Sequence, residues 1–164
     1  MEIREATVAD WPAIWGIVEP VVRAGETFTY PRDADEALGR TLWMMAPPGV
    51  TLVAVEAGRV LGTARTGPNQ MGPGSHVATA SFMVAAEARG RGVGRALGEA
   101  VIARARTDGY RAMQFNAVVE SNRSAVHLWK ALGFEIVGTV PEAFAHPTEG
   151  LVGLHVMHRR LRSA

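Results

Sequence analysis

The 164-residue chain contains no cysteine. Disulfides and thiolate metal sites are thereby excluded, and a reducing compartment, the cytoplasm, is the expected setting. Its five histidines show no paired H-x-x-x-H spacing, so no metal is expected either. Net charge is nearly absent. Seventeen basic and sixteen acidic side chains leave +1, too little to draw nucleic acid to the whole surface. The local basic stretches, Arg104 with Arg106 and residues 158–162, lack interleaved aromatics and read as a helix face and a strand end. Long apolar runs are missing too. No stretch reaches bilayer length, and the opening MEIREATVADW is charged where a leader would be apolar. Neither nucleic acid nor membrane is an expected partner. Repeats, linkers and low-complexity segments are absent, so residues 1–164 are expected to form one domain.

What the chain does have is an apolar fraction of 48%, enough for a core. It also has one unusual stretch, SFMVAAEARGRGVGRAL, at residues 81–97. A β-type run ends near Val84, and glycines follow at 90, 92 and 94. Val93, Leu97, Val101 and Ala105 then recur at four-residue steps, the period of a helix. The glycines therefore fall at a helix entrance. There, unpartnered N–H groups and the positive end of the helix dipole favour phosphate oxygens. Arg89, Arg91 and Arg95 add charge. The turn lacks the G-x-G-x-x-G spacing of a dinucleotide fold and the lysine of a P-loop.

Elsewhere the patterns alternate. Strands are expected over 2–7, 50–56, 60–66, 76–84, 112–119, 135–140 and 151–160. Thr7 with Asp10, and Asp33 with Glu36, resemble capping boxes at helix starts. The first helix carries Ile14, Ile17, Val18, Val21 and Val22, and Pro20 is expected to kink or end it. The second runs through Leu38, Leu42 and Met45 to the stop at Pro47-Pro48. Asn122 opens a last helix with Ala125, Trp129 and Leu132 on one face, closed by Gly133. Residues 25–31, 67–75 and 141–150 read as loops. The order β α α β β β α β α β β indicates an α/β sheet covered by helices.

R-x-x-G-x-G, from Arg89 to Gly94, resembles the acyl-coenzyme A pyrophosphate loop of the GCN5-related N-acetyltransferases. VESNRSAVHLWKALGF resembles that family's N-x-x-A…L-Y-x-x-x-G-F block, and the element order matches its fold over nearly the whole chain. The resemblance implies a mixed sheet of about seven strands with about four helices, and acetyl-CoA as acetyl donor to a small-molecule amine. It implies that Phe82, Met83 and Val84 pair with the pantetheine arm. It puts Gly90, Gly92, Val93, Gly94 and the three arginines at the diphosphate, and Asn122 on the coenzyme. Asparagine at a helix start is equally a favoured N-cap. Trp129 stands where many relatives carry the tyrosine that protonates the leaving thiolate. Indole does not ionise near neutral pH, so Trp129 is expected to be a tunnel wall or core.

PNQMGPGSHVATASFMV and FNAVVESNRSAVHLW further resemble the fungal acetyltransferases of azetidine-2-carboxylate, a proline analogue, and their bacterial relatives. By that resemblance Asn116 helps hold the acceptor carboxylate, and Thr79 replaces a second asparagine. The acceptor is then an amino or imino acid. The alternatives are a drug-like amine such as phosphinothricin or an aminoglycoside, and a coenzyme-binding sensor without turnover. Glu26, Tyr30 and Glu120 are the leading candidates for the proton acceptor, with His76 and His146 behind them, directly or through water. Relatives often dimerise, which leaves a homodimer open.

Overall fold

A computed structural model describes residues 1–161; Arg162, the end of the expected basic strand end, lies outside them. Strands β1 (Glu2–Glu5), β2 (Val50–Glu56), β3 (Arg59–Pro68), β4 (Val77–Val84), β5 (Ala112–Val119), β6 (Glu135–His146) and β7 (Gly150–Arg160) form one sheet. Its order is β1-β2-β3-β4-β5-β7-β6. Every neighbouring pair is antiparallel except β4 and β5. Helices α1 (Trp11–Ala24), α2 (Glu36–Trp43), α3 (Val93–Thr107) and α4 (Arg123–Ala131) complete the layers. This is the mixed seven-stranded sheet with four helices expected from the sequence.

Opposite faces of β3 show how the helices divide. A Cβ on Gly62 would meet Val93 and Leu97 of α3. One residue on, the Thr63 hydroxyl accepts the Trp43 indole N–H from α2 at 3.0 Å and donates to the Leu52 carbonyl at 2.9 Å. A strand's side chains alternate between faces, so α3 covers one side and α2 the other. The α3 stripe read from sequence is buried at all four positions. Gly98 matters for what lies beyond it. A Cβ there would come within 2.6 Å of Leu132 Cδ1 and 3.3 Å of the Trp129 ring, so its absence lets α4 settle against α3.

One local expectation is narrowed and three are corrected. Pro20 lies inside α1, which continues to Ala24; the ring removes one donor without ending the helix. The cap of α2 is Asp35, whose carboxylate accepts the Leu38 N–H at 2.8 Å, rather than Asp33. That helix stops at Trp43, before Met45, and buries Gly39 and Trp43 while Leu38 is exposed. The loop expected at 141–150 is mostly strand, because β6 runs to His146. Strand β6 is the sheet edge, and its register to β7 shifts between Val140 and Phe144. An edge and a bulge are where a strand tolerates a proline's missing donor, so Pro141 fits there.

The feature that positions the site is a divergence. Strands β4 and β5 pair only at Val77–Ala112 and Ala78–Met113. Beyond them the two strands part, and β4 keeps β3 alone as its neighbour.

Candidate active site

The turn before α3 is built from backbone. Gly90 (φ 74°) and Gly92 (φ 79°) both adopt the left-handed conformation that side-chain-bearing residues avoid. Nothing lies within 4 Å of where their Cβ atoms would stand, so the space above the turn is open. Ala96 N–H makes the first bond back into the turn, to the Gly92 carbonyl. The amides of Gly90, Gly92, Val93, Gly94 and Arg95 have no partner among the described residues. Five such donors at a helix entrance are of the kind that favour an anion. They border a cavity of about 610 Å³ that Arg89 and Arg95 also line. Arg91 does not line it; its side chain pairs with Glu56 of β2, and its amide bonds the Ala88 carbonyl.

The open edge of β4 faces the same cavity. Val77 accepts from Asn69, and Ala85 donates to Leu61, so the odd-numbered residues bond β3. Antiparallel pairing alternates, which turns the N–H and C=O groups of Ala80, Phe82 and Val84 toward the gap left by β5. Phe82 and Val84 are thus placed for an added extended chain. Met83 lines the same cavity, but its backbone faces β3 and its side chain is buried.

Asn122 caps α4 with one atom of its amide and leaves the other unpaired. Its Oδ1 accepts the Ala125 N–H at 3.4 Å as the cap of α4. The Nδ2 group has no partner among the described residues, and the side chain lines the cavity. The helix it starts ends in a Schellman turn, with Phe134 N–H bonding the Trp129 carbonyl at 3.0 Å. That turn fixes Trp129 among Phe82, Phe115 and Phe134, with ring centroids 4.6, 5.0 and 6.3 Å away. Trp129 is therefore a wall, packed edge and face in the geometries that aromatic pairs favour.

A second cavity, about 260 Å³, lies on the other side of that wall. The two share Thr27, Phe28, Phe82, Asn122, Ala125 and Trp129. Thr79 and Asn116 both line the smaller one. Asn116 is exposed rather than buried, at a β5 bulge where register to β7 shifts between Phe115 and Val118. Bulges re-aim side chains beside active sites. Its amide donates to Asn69 at 2.6 Å and accepts from Gln114 at 2.9 Å.

The three proton-acceptor candidates separate. Glu120 lies outside both cavities, its carboxylate accepting the Gly153 N–H at 2.9 Å. Tyr30 lines the smaller cavity, but burial raises its phenol above the usual value against the opposing pull of Arg65. At neutral pH it holds its proton, so in proton transfer it can act only as a donor. Glu26 is exposed and lines the larger cavity. The second-line candidates, His76 and His146, line neither cavity. Arg65 was not singled out from the sequence, because a lone arginine in a strand carries no motif; here it lines the smaller cavity. Among the described residues, no cluster of three His, Asp or Glu is placed to hold a metal, and no helix is long and apolar enough to cross a membrane.

Residues 5–134 match the family model described as acetyltransferase (GNAT) family. A GCN5-related N-acetyltransferase from Kribbella flavida is 57% identical, with a TM-score of 0.94 over 97% of this chain and 96% of its own. The L-methionine sulfoximine/L-methionine sulfone acetyltransferase of Pseudomonas aeruginosa is 32% identical over 85% of this chain and 83% of its own. The yncA protein of Salmonella typhimurium, solved with acetyl-CoA, is 26% identical, with a TM-score of 0.86 over 100% of this chain and 95% of its own. Among curated relatives, N-acetyltransferase aca1 of Schizosaccharomyces pombe is 32% identical over 51% of this chain, and that match spans 40% of the fungal protein's length.

Proposed function

The chain belongs to the acetyltransferase (GNAT) family, and on that premise we propose that it moves the acetyl group of acetyl-CoA to the amine of a small amino or imino acid in a ternary complex. The observation that carries this reading is the shared wall: a cavity entered through five unpaired amides meets a smaller one at Phe82, Asn122 and Trp129. Two reactants held on either side of one wall need no covalent enzyme intermediate, and their positioning supplies much of the rate.

Acetyl-CoA supplies a thioester that a neutral amine opens, the C–N bond forming as the C–S bond breaks. The amides of Gly90, Gly92, Val93, Gly94 and Arg95 hold the diphosphate, with Arg89 and Arg95 beside them. Phe82 and Val84 offer main-chain partners to the amide-bearing arm, as to an added strand. The Val84 N–H is assigned to the thioester carbonyl oxygen, where negative charge develops. Trp129 closes the tunnel side, and Asn122 Nδ2 donates to the coenzyme. Glu26 receives the proton of the acceptor ammonium through water.

The smaller cavity argues for a compact acceptor. Its 260 Å³ falls below the roughly 300–1,000 Å³ typical of drug-sized ligands, which disfavours an aminoglycoside. Thiol release from acetyl-CoA across a panel of amino acids, imino acids, sulfones and aminoglycosides tests the reading. Turnover confined to the small acids supports it. Turnover with aminoglycosides alone, or with no amine at all, overturns it.

A further inference from the structure

Arg65 brings a charge into the smaller cavity that no carboxylate among the described residues answers. It sits in β3 between buried Ala64 and Thr66. Its Nε is sealed from solvent and makes no hydrogen bond. One terminal nitrogen reaches the Met45 sulfur at 3.6 Å, and the rings of Tyr30 and Trp43 stand 5.9 Å from the guanidinium carbon. The Tyr30 hydroxyl in the same lining is also buried and unpartnered. Ser81 faces Arg65 directly across the β3–β4 pairing, with Thr79 two residues along on the same face.

Ring faces and a thioether attract a guanidinium only weakly. Half-buried, with Nε sealed and its terminal nitrogens toward the cavity, that group favours an anion and acceptors for its remaining donors. Its planar fork matches a carboxylate in two parallel bonds, and a protonated phenol beside it adds a further donor. Asn116, the residue to which resemblance assigns the carboxylate, already spends one N–H on Asn69 and its oxygen on Gln114, which leaves it a single N–H against the fork of Arg65.

Resting on the acceptor assignment above, we propose that Arg65 is the specificity-determining anchor for the acceptor's carboxylate. The acceptor is then a zwitterion. Its acid lies against Arg65 and Tyr30, and its amine is turned to the Phe82–Trp129 wall where the thioester emerges.

The test uses the full chain with matched acceptors: a panel of amino and imino acids, L-methionine sulfone among them, and the C-terminal amide of each. The wild type should favour the acids by on the order of a hundredfold in kcat/KM. Arg65→Met should remove that preference, chiefly through KM, and leave acetyl-CoA affinity unchanged, which also reports that the variant folds. Arg65→Lys should restore part of it. Equal use of acid and amide by the wild type, or an acid preference untouched in Arg65→Met, overturns the anchor while the transferase reading stands. No transfer to any amine overturns both.

Discussion

The two ends of the site are made of different material. At the coenzyme end, five main-chain amides lie within one turn, between Gly90 and Arg95. At the acceptor end, Tyr30, Arg65, Thr79 and Asn116 come from a loop and three strands separated by up to 86 positions in the chain (116 − 30). A backbone site depends on local conformation, so its requirements are written in adjacent residues. A side-chain site depends on the sheet bringing distant residues together, and any of its members can change alone. The first kind is suited to a ligand that stays the same, and the second to one that varies.

If that contrast holds, each end should fail separately. The largest effect is expected from Gly92→Asp, which sets a carboxylate against the diphosphate and strains a residue at φ 79°. Acetyl-CoA affinity should fall by at least roughly a hundredfold by calorimetry, given the charge reversal at a helix entrance. Gly92→Ala, which carries only the strain of about 1–2 kcal/mol, should fall less. An unchanged affinity in a folded Gly92→Asp protein would dissolve the coenzyme end as described. Asn116→Ala should act at the other end alone. Its amide is already engaged twice, so the acceptor KM should rise by several-fold only, about 1 kcal/mol for one hydrogen bond, at constant coenzyme affinity. A matching loss of coenzyme binding would erase the boundary between the two ends.

The smallest effect belongs to neither end and serves as the control. Asp10 accepts two bonds at 2.8 Å from the Arg4 fork and one at 2.7 Å from the Thr7 N–H. The Arg4 hydrogen bonds foremost hold its carboxyl far below the usual carboxylate range. A carboxyl depressed by folding adds stability above its unfolded value and loses it as the pH falls toward the folded one. Asp10→Asn should therefore cost about 1 kcal/mol at pH 7 by urea denaturation, the scale of a part-exposed ion pair, because it loses the charged pair with the Arg4 fork. The gap to wild type should narrow below about pH 4. Both ligands should bind the variant normally.

The same contrast governs how much was legible beforehand. The α3 stripe, the glycine turn and the Asn122 cap were readable because each is local and periodic. Arg91 was grouped with Arg89 and Arg95 because residue type does not say which way a side chain leaves a turn; its pairing with Glu56 of another strand, outside the cavity lining, could not be read from the motif. Met83 was grouped with its neighbours because the alternation of β4 depends on pairing with β3, which lies outside the motif. Glu120 looked free until Gly153 of β7 supplied its partner. Arg65 was invisible for the complementary reason: its meaning is the absence of a partner, and only a folded chain reveals that.

The short pairing between β4 and β5 has one more consequence. A sheet joined there at two residue pairs is held across its middle by few main-chain bonds. On the reading above, the cosubstrate lies in that gap as a temporary eighth strand, tying the two halves together. Ligation then raises the melting temperature, because a molecule that binds only the folded form at a hundredfold excess over Kd adds ~2.7 kcal/mol. The endurance of the protein toward heat and proteases would follow the supply of its own acetyl donor.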